Sequence, residues 1–98
     1  MIEIRQTTEY ASWFAELRDE RARARIDARI YRLSLGHAGD AKLLGQGVSE
    51  LRINTGPGYR IYFTRRREVI VMLLCAGDKN SQSRDIKRAK ALAEQWTE

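Results

Sequence analysis

GQGVSELRINTGPGYRIYFTRRREVIVMLLCAGDK, residues 45–79, is the stretch whose reading decides the fold. Side chains alternate across a strand, so Leu51 and Ile53 point one way while Glu50, Arg52 and Asn54 point the other. Thr55-Gly56-Pro57-Gly58 is a turn signal: proline sets φ and glycine takes positive φ without a steric cost. On the return, Tyr59, Ile61 and Phe63 share one side, and Arg60, Tyr62 and Thr64 the other. Arg65-Arg66-Arg67 reads as a tight basic turn. Glu68 to Ala76 is almost continuously apolar, which suits a central strand buried on both faces or nearly so. Three adjacent strands are therefore predicted. One face is apolar, and the other carries Arg52, Arg60 and Tyr62 and is expected to stay open to solvent or a partner.

Working outward, Ile2 to Arg5 alternates apolar and charged residues and predicts a short strand. Thr7 or Thr8 can cap a helix whose Tyr10, Trp13, Phe14 and Leu17 form one apolar stripe. Asp19 can cap a second helix, with Ala22, Ile26, Ile30 and Leu33 on one face and Arg21, Arg25, Arg29 and Arg32 off it. Gly36 stops this helix. Only Arg18–Glu20 separates the two helices, so a helical hairpin is expected. His37 to Gly47 is glycine-rich and aperiodic, which predicts a loop. After Lys79, Asn80 or Ser81 can cap a last helix with Ile86, Ala89, Ala93 and Trp96 inside. The expected fold is a single α+β domain over residues 1–98, ordered β-αα-βββ-α. It has two layers, an antiparallel sheet with helices packed on one face.

The chain has 98 residues, 43% hydrophobic and 32% charged, as in a folded domain with one thin core. No apolar run approaches the roughly 20 residues of a membrane span. The N-terminal MIEIRQ lacks the apolar core of a secretory signal. A lone cysteine, Cys75, excludes an internal disulfide and fits a reducing cytoplasm. His37 is the only histidine, so no zinc site is expected, nor any other metal or cofactor. The net charge is +5, with 8 Lys/Arg against 7 Asp/Glu in residues 1–47 and 10 against 6 in residues 48–98. The excess in the second half fits either an acidic, phosphate-bearing partner or a charge that merely keeps the protein soluble.

The element order and the motifs Lys42-Leu43-Leu44-Gly45, Gly47-Val48-Ser49-Glu50-Leu51-Arg52, Gly58-Tyr59-Arg60-Ile61-Tyr62-Phe63, Gly77-Asp78-Lys79 and Asp85-Ile86-Lys87-Arg88-Ala89 resemble the RelE/ParE superfamily of bacterial toxins. The HigB-like addiction-module killer proteins are the nearest branch. The resemblance covers nearly the whole chain. It implies a cytoplasmic toxin neutralised by a cognate antitoxin, commonly a helix-turn-helix protein through which the complex binds operator DNA. The RelE and HigB branches cut mRNA on the ribosome. The ParE branch poisons DNA gyrase instead.

Metal-free RNA cleavage by 2′-hydroxyl attack, leaving a 2′,3′-cyclic phosphate, needs a charge stabiliser and proton carriers. Arg60 matches the arginine of the family's strand motif and would steady the phosphorane, where charge develops. Arg52 would hold an adjacent phosphate. Tyr62 would stack on a base or give a proton. Lys79 is a candidate general base, and Asp78 would orient it or replace it. The bland alternatives are a cross-hairpin charge pair to Glu50 for the arginines and a turn role for Asp78. Lys42, Arg65, Arg66, Arg67, Lys87 and Arg88 are candidate RNA-backbone contacts. HigB-type toxins typically carry a histidine near the C-terminus and RelE types a tyrosine, yet neither follows Tyr62 here. A gyrase inhibitor and an inactive antitoxin-binding module therefore stand beside the nuclease as expectations.

Overall fold

The computed structural model describes residues 1–97. Its sheet is centred on the expected meander: β3 (Val48–Ile53), β4 (Tyr59–Arg66) and β5 (Ile70–Asp78). Before it come β1 (Glu3–Gln6), α1 (Thr8–Glu16), α2 (Glu20–Ser34) and β2 (Ala41–Gly45). A single 3-10 turn, Lys79–Ser81, leads into α3 (Gln82–Gln95). The strand order is β1-β5-β4-β3-β2. No helix among the described residues is long and apolar enough to cross a membrane.

The α+β class is as expected, and three details differ. First, residues 37–47 are not all loop, because β2 pairs antiparallel with β3. It is an edge strand with Lys42 and Leu43 exposed, so it shows no burial period to read. Its return passes through Gly45, Gln46 and Gly47, all at positive φ, which explains the glycines. Second, the sheet is mixed, because β1 enters parallel to β5. The long connection a parallel pair requires runs from β1 through α1 and α2 to β2 at the far edge and back across β3 and β4. Third, the helices do not share one face.

On one face Leu51, Ile53, Ile61, Phe63, Val71 and Leu73 pack with Tyr10, Ile26 and Leu33 from α1 and α2. On the other, Val48, Tyr62, Leu74 and Cys75 pack with Ala89 and Ala93 of α3. A strand as apolar as β5 has two faces to cover, and α3 covers the second. A bulge sharpens this. Tyr62 pairs with Cys75 and Phe63 with Leu73, so Leu74 has no opposite number. Leu74 and Cys75 consequently point the same way, into α3.

Local chemistry explains the element ends. Thr7 Oγ1 accepts from the Tyr10 amide at 3.0 Å and Asp19 Oδ1 from the Ala22 amide at 3.0 Å. Arg23 lies over the Phe14 ring and donates to the carbonyls of Phe14 and Leu17, closing the helical hairpin. β4 runs on through Arg66, so the reversal falls on Arg67 and Glu68 rather than Arg65–Arg67. Both are at positive φ, the pattern of a hairpin turn of the I′ kind. The arginine triplet is thus split. Arg66 stacks 4.1 Å over the Trp96 ring and donates to the Trp96 and Ala93 carbonyls, tying down the end of α3.

Ser81, one of the two expected, is the N-cap position of α3 but makes no side-chain cap bond, and Asp78 caps the 3-10 turn before it. Its carboxylate accepts from the Asn80 amide at 2.8 Å, and Ser81 Oγ accepts from the Asp78 amide at 3.2 Å. Ser81 also bonds the Asp85 carboxylate. This knot lies directly on Gly77: a Cβ there would stand 1.9 Å from Asp85 Oδ2 and 2.5 Å from Ser81 Oγ. We predict that Gly77→Ala lowers stability by about 1–3 kcal/mol in urea unfolding, the usual cost of overpacking. Most of that loss should disappear in an Asp85→Ala background. Equal losses in both backgrounds would mean that the carboxylate is not the obstacle.

Candidate functional site

Directly opposed residues share a sheet face, so the strand register assembles the site in rows. Lys42, Glu50, Tyr62 and Cys75 form one row across β2, β3, β4 and β5. Arg52, Arg60 and Gly77 form the next. Two arginines facing each other across a strand pair repel. Glu50 answers that repulsion from the neighbouring row. Its side chain is fully buried and reaches Arg52 Nε at 3.1 Å and Arg60 Nε at 3.6 Å. Gln82, in the first turn of α3, donates to Glu50 Oε1 at 2.6 Å. A hydrogen bond to a charged group contributes about 1.5–3 kcal/mol, so this contact also fastens α3 to the sheet.

The face expected to be open is therefore covered. Tyr62 is 0% exposed, and its hydroxyl has no hydrogen-bond partner. Burial first, then the charges of Glu50 and Asp85, push its phenol far above its ordinary value. A phenol packed beneath α3 is not placed to stack on a base. Arg60 is reduced to 11% exposure of its side chain, against 35% for Arg52. Arg60 Nη1 donates weakly to the Tyr59 carbonyl at 3.4 Å, and its buried Nε makes no hydrogen bond. One carboxylate stands against two guanidinium groups. The cluster retains an excess positive charge and unspent donors, which is the chemistry of an anion site.

The stem of Lys79 lies near this cluster. Gly58, at φ +80°, has no side chain, and a Cβ there would meet Arg60 Nη1 at 3.7 Å and Lys79 Cβ at 3.8 Å. The Lys79 stem and the Arg60 guanidinium thus border the same space left by the turn residue. Asp78 is not brought in. It pairs with Tyr59, on the face covered by α1 and α2, and spends its carboxylate on the cap. The Tyr59 phenol is raised by burial, then by Asp19 and Asp78.

The candidate RNA-backbone contacts divide in the same way. Lys42 on β2 and Lys87 on α3 are exposed. Arg65 is exposed and donates to the Glu68 carbonyl, and Arg67 sits in the reversal. Arg66 is committed to Trp96. Arg88 forks onto Glu9 at 2.7–3.1 Å, pairing α3 with α1, and that bond raises its pKa. Sequence reasoning treated Glu50 only as a charge partner and missed Gln82. The signal for Glu50 was its place between apolar neighbours Val48 and Leu51 in a strand now buried on both faces. Gln82 had no signal, because its role depends on where α3 docks.

Beside the site a cleft of about 390 Å³ opens between α1 and α3, lined by Glu9, Trp13, Cys75, Arg84, Asp85 and Arg88. Burial first, then Asp85 and Glu9, push the Cys75 thiol up to about 12, against a smaller opposing effect of Arg88.

Two comparisons bear on identity. The family described as phage-derived protein Gp49-like (DUF891) matches residues 12–98. A protein of Haemophilus influenzae (strain ATCC 51907 / DSM 11121 / KW20 / Rd), described as uncharacterized, is 48% identical over 94 residues, 96% of this chain and 95% of its own.

Two outcomes follow from the buried row. Tyr62→Phe removes an unpaired buried hydroxyl and is expected to raise stability by about 1 kcal/mol in urea unfolding. A loss of that size would mean the hydroxyl has a partner. The Cys75 thiol holds its proton more tightly folded than unfolded. Its contribution is complete below the unfolded value of 9.0 and is lost as pH climbs from there toward about 12. Cys75→Ala should therefore flatten the fall in melting temperature across that alkaline window. An unchanged slope would place the loss elsewhere.

Proposed function

Because the chain belongs to the Gp49-like family of phage-derived proteins, a family of RelE-like addiction-module killer proteins, we propose that it is the toxin of a type II toxin–antitoxin pair. In this reading it is of the HigB-like kind and acts in the cytoplasm as a ribosome-dependent, metal-independent mRNA endonuclease. Its partners are a cognate antitoxin with a helix-turn-helix, the ribosome and mRNA, and operator DNA through the antitoxin complex.

The observation that supports this most is the arginine pair on one buried carboxylate. Arg52 and Arg60 are held rigidly on adjacent strands, positively charged beyond what Glu50 neutralises, with donors to spare. Such a cluster suits a group whose negative charge grows during reaction. In cleavage, the 2′-oxygen attacks the adjacent phosphorus, its proton leaves to a base, and the 5′-oxygen departs and takes up a proton. Arg60 and Arg52 stabilise the phosphorane between these events. Lys79, whose stem flanks Gly58 together with Arg60, is the proton carrier in this reading. Preorganised donors of this kind are worth about 10²–10³ in rate each.

A second reading, a gyrase inhibitor, draws on the burial of Tyr62. That burial leaves the arginine pair without an accessible phenol from the neighbouring row.

Expression without antitoxin, followed by primer extension on an abundant translated mRNA, separates the two. The nuclease predicts cuts at defined codon positions that fall at least about 100-fold in an Arg60→Ala variant shown by circular dichroism to be still folded at the assay temperature. Growth arrest with intact mRNA and broken DNA would assign the protein to gyrase.

A further inference from the structure

The arginines outside the candidate site are not spread evenly. At about 100° per residue, Arg21, Arg25, Arg29 and Arg32 fall within an arc of about 80° on α2. The buried stripe Ala22, Ile26 and Leu33 lies beside this arc, and Glu20 and Asp27 lie on the far side of the helix. The arc therefore contains no acidic residue of its own helix. Arg21, Arg25 and Arg32 are exposed, as is Arg18 on the approach to α2, and none of these four has an ion pair among the described residues. This is unusual within the molecule: Arg23, Arg66 and Arg88 are all spent on carbonyls or a carboxylate.

Arg29 anchors the stripe. Its guanidinium donates to the carbonyls of Arg52, Ala38 and Asp40, binding α2 to β3 and to the loop after α2. Burial lowers its pKa, Asp40 opposes that, and Arg32 adds to it, so neighbouring positive charges are held together at a cost. Around Arg29 lies a cleft of about 360 Å³ whose lining includes Arg25, Arg32, Asp40, Ile53 and Asn54. From Arg21 to Arg32 the stripe runs about 16 Å along the helix axis. A nucleic-acid strand carries a phosphate every few ångströms, so several phosphates can lie along it.

We propose that the arginine stripe of α2, on the opposite side of the sheet from the Arg52–Arg60 pair, is a second RNA-binding surface that grips the phosphodiester backbone without reading sequence. The choice of RNA rests on the proposed ribosome-directed function; the stripe and its missing counter-charges do not. Exposed arginine pairs strongly with phosphate and needs no base contact to do so. α2 would hold a strand of structured RNA while α3 and β2 lie over the message.

The test measures binding rather than cleavage. Fluorescence anisotropy of the full-length protein with labelled oligouridylate is followed across a range of salt concentrations. The Arg21→Gln, Arg25→Gln, Arg32→Gln variant is expected to bind more than tenfold more weakly. The slope of log K against log salt should flatten by about 2, since each neutralised phosphate contributes about 0.7 on a single strand. Arg29 is left intact because it holds the fold. The matching lysine variant keeps the charge and should keep the slope, which a structural role for the arginines would not do. The same slope and affinity for parent and glutamine variant would overturn the proposal. So would salt-sensitive binding of polyglutamate with no binding of RNA, which would assign the stripe to an acidic protein. Stripe-dependent RNA binding without mRNA cuts in cells would remove the nuclease and leave this surface. Cuts with stripe-independent RNA binding would do the reverse.

Discussion

A carboxylate with no access to solvent, Glu50, is the constraint around which the rest of the molecule is arranged. Moving a charge out of water costs several kcal/mol even after relaxation, so Glu50 is stable only while its partners stay in place. Those partners come from three elements: Arg52 on β3, Arg60 on β4 and Gln82 on α3. The same carboxylate makes it tolerable for Arg52 and Arg60 to face each other across the strand pair. Stability and chemistry thus share one group. Glu50 draws two cations together, and the cluster stays cationic because one carboxylate cannot neutralise both.

Packing follows from this arrangement. α3 approaches closely because its contact residues, Ala89 and Ala93, are small. Its near end is pinned by Gln82 and the Asp78–Ser81–Asp85 knot, and its far end by Arg66 under Trp96. The bulge at Leu74 turns two adjacent β5 side chains toward it. On the other face α1 and α2 are held by a larger apolar cluster, and Arg88–Glu9 links the two helical layers around the edge of the sheet. A sheet this short buries both faces only by placing helices on both.

Much of this was legible in the sequence wherever a period or a cap carried it. Strand alternation in residues 50–64, the Thr55–Gly58 turn, the caps Thr7 and Asp19 and the helical stripes all correspond to local physics. Three features were not legible, each for a physical reason. β2 is an edge strand with little buried, so it has no periodicity. The covering of the Arg60 face depends on the docking of α3, which is a tertiary event. The charge excess of the second half pointed to a basic footprint there, but charge counts do not show which cations are already paired. Arg66 and Arg88 serve the fold, while Arg18, Arg21, Arg25 and Arg32, without an ion pair among the described residues, lie on or just before α2, in the half whose net charge is close to zero.

The covered position of the arginine pair also bears on what kind of site it is. A guanidinium at 11% exposure has already lost most of its hydration, so an arriving phosphate need not remove it. Interactions between charges strengthen as water is excluded, and here the exclusion is built into the folded state by α3 rather than supplied by the ligand. Arg52 is three times as open, and the stem of Lys79 lies by Gly58. The orphaned Nε of Arg60 is the donor left over once Glu50 has divided its two oxygens among Arg52, Arg60 and Gln82. That Nε is sealed from solvent, so a ligand could meet only the remaining exposed part of the Arg60 side chain. On the proposed reading a phosphate would approach by that part, and by Arg52, and would offset the charge that Glu50 leaves uncompensated.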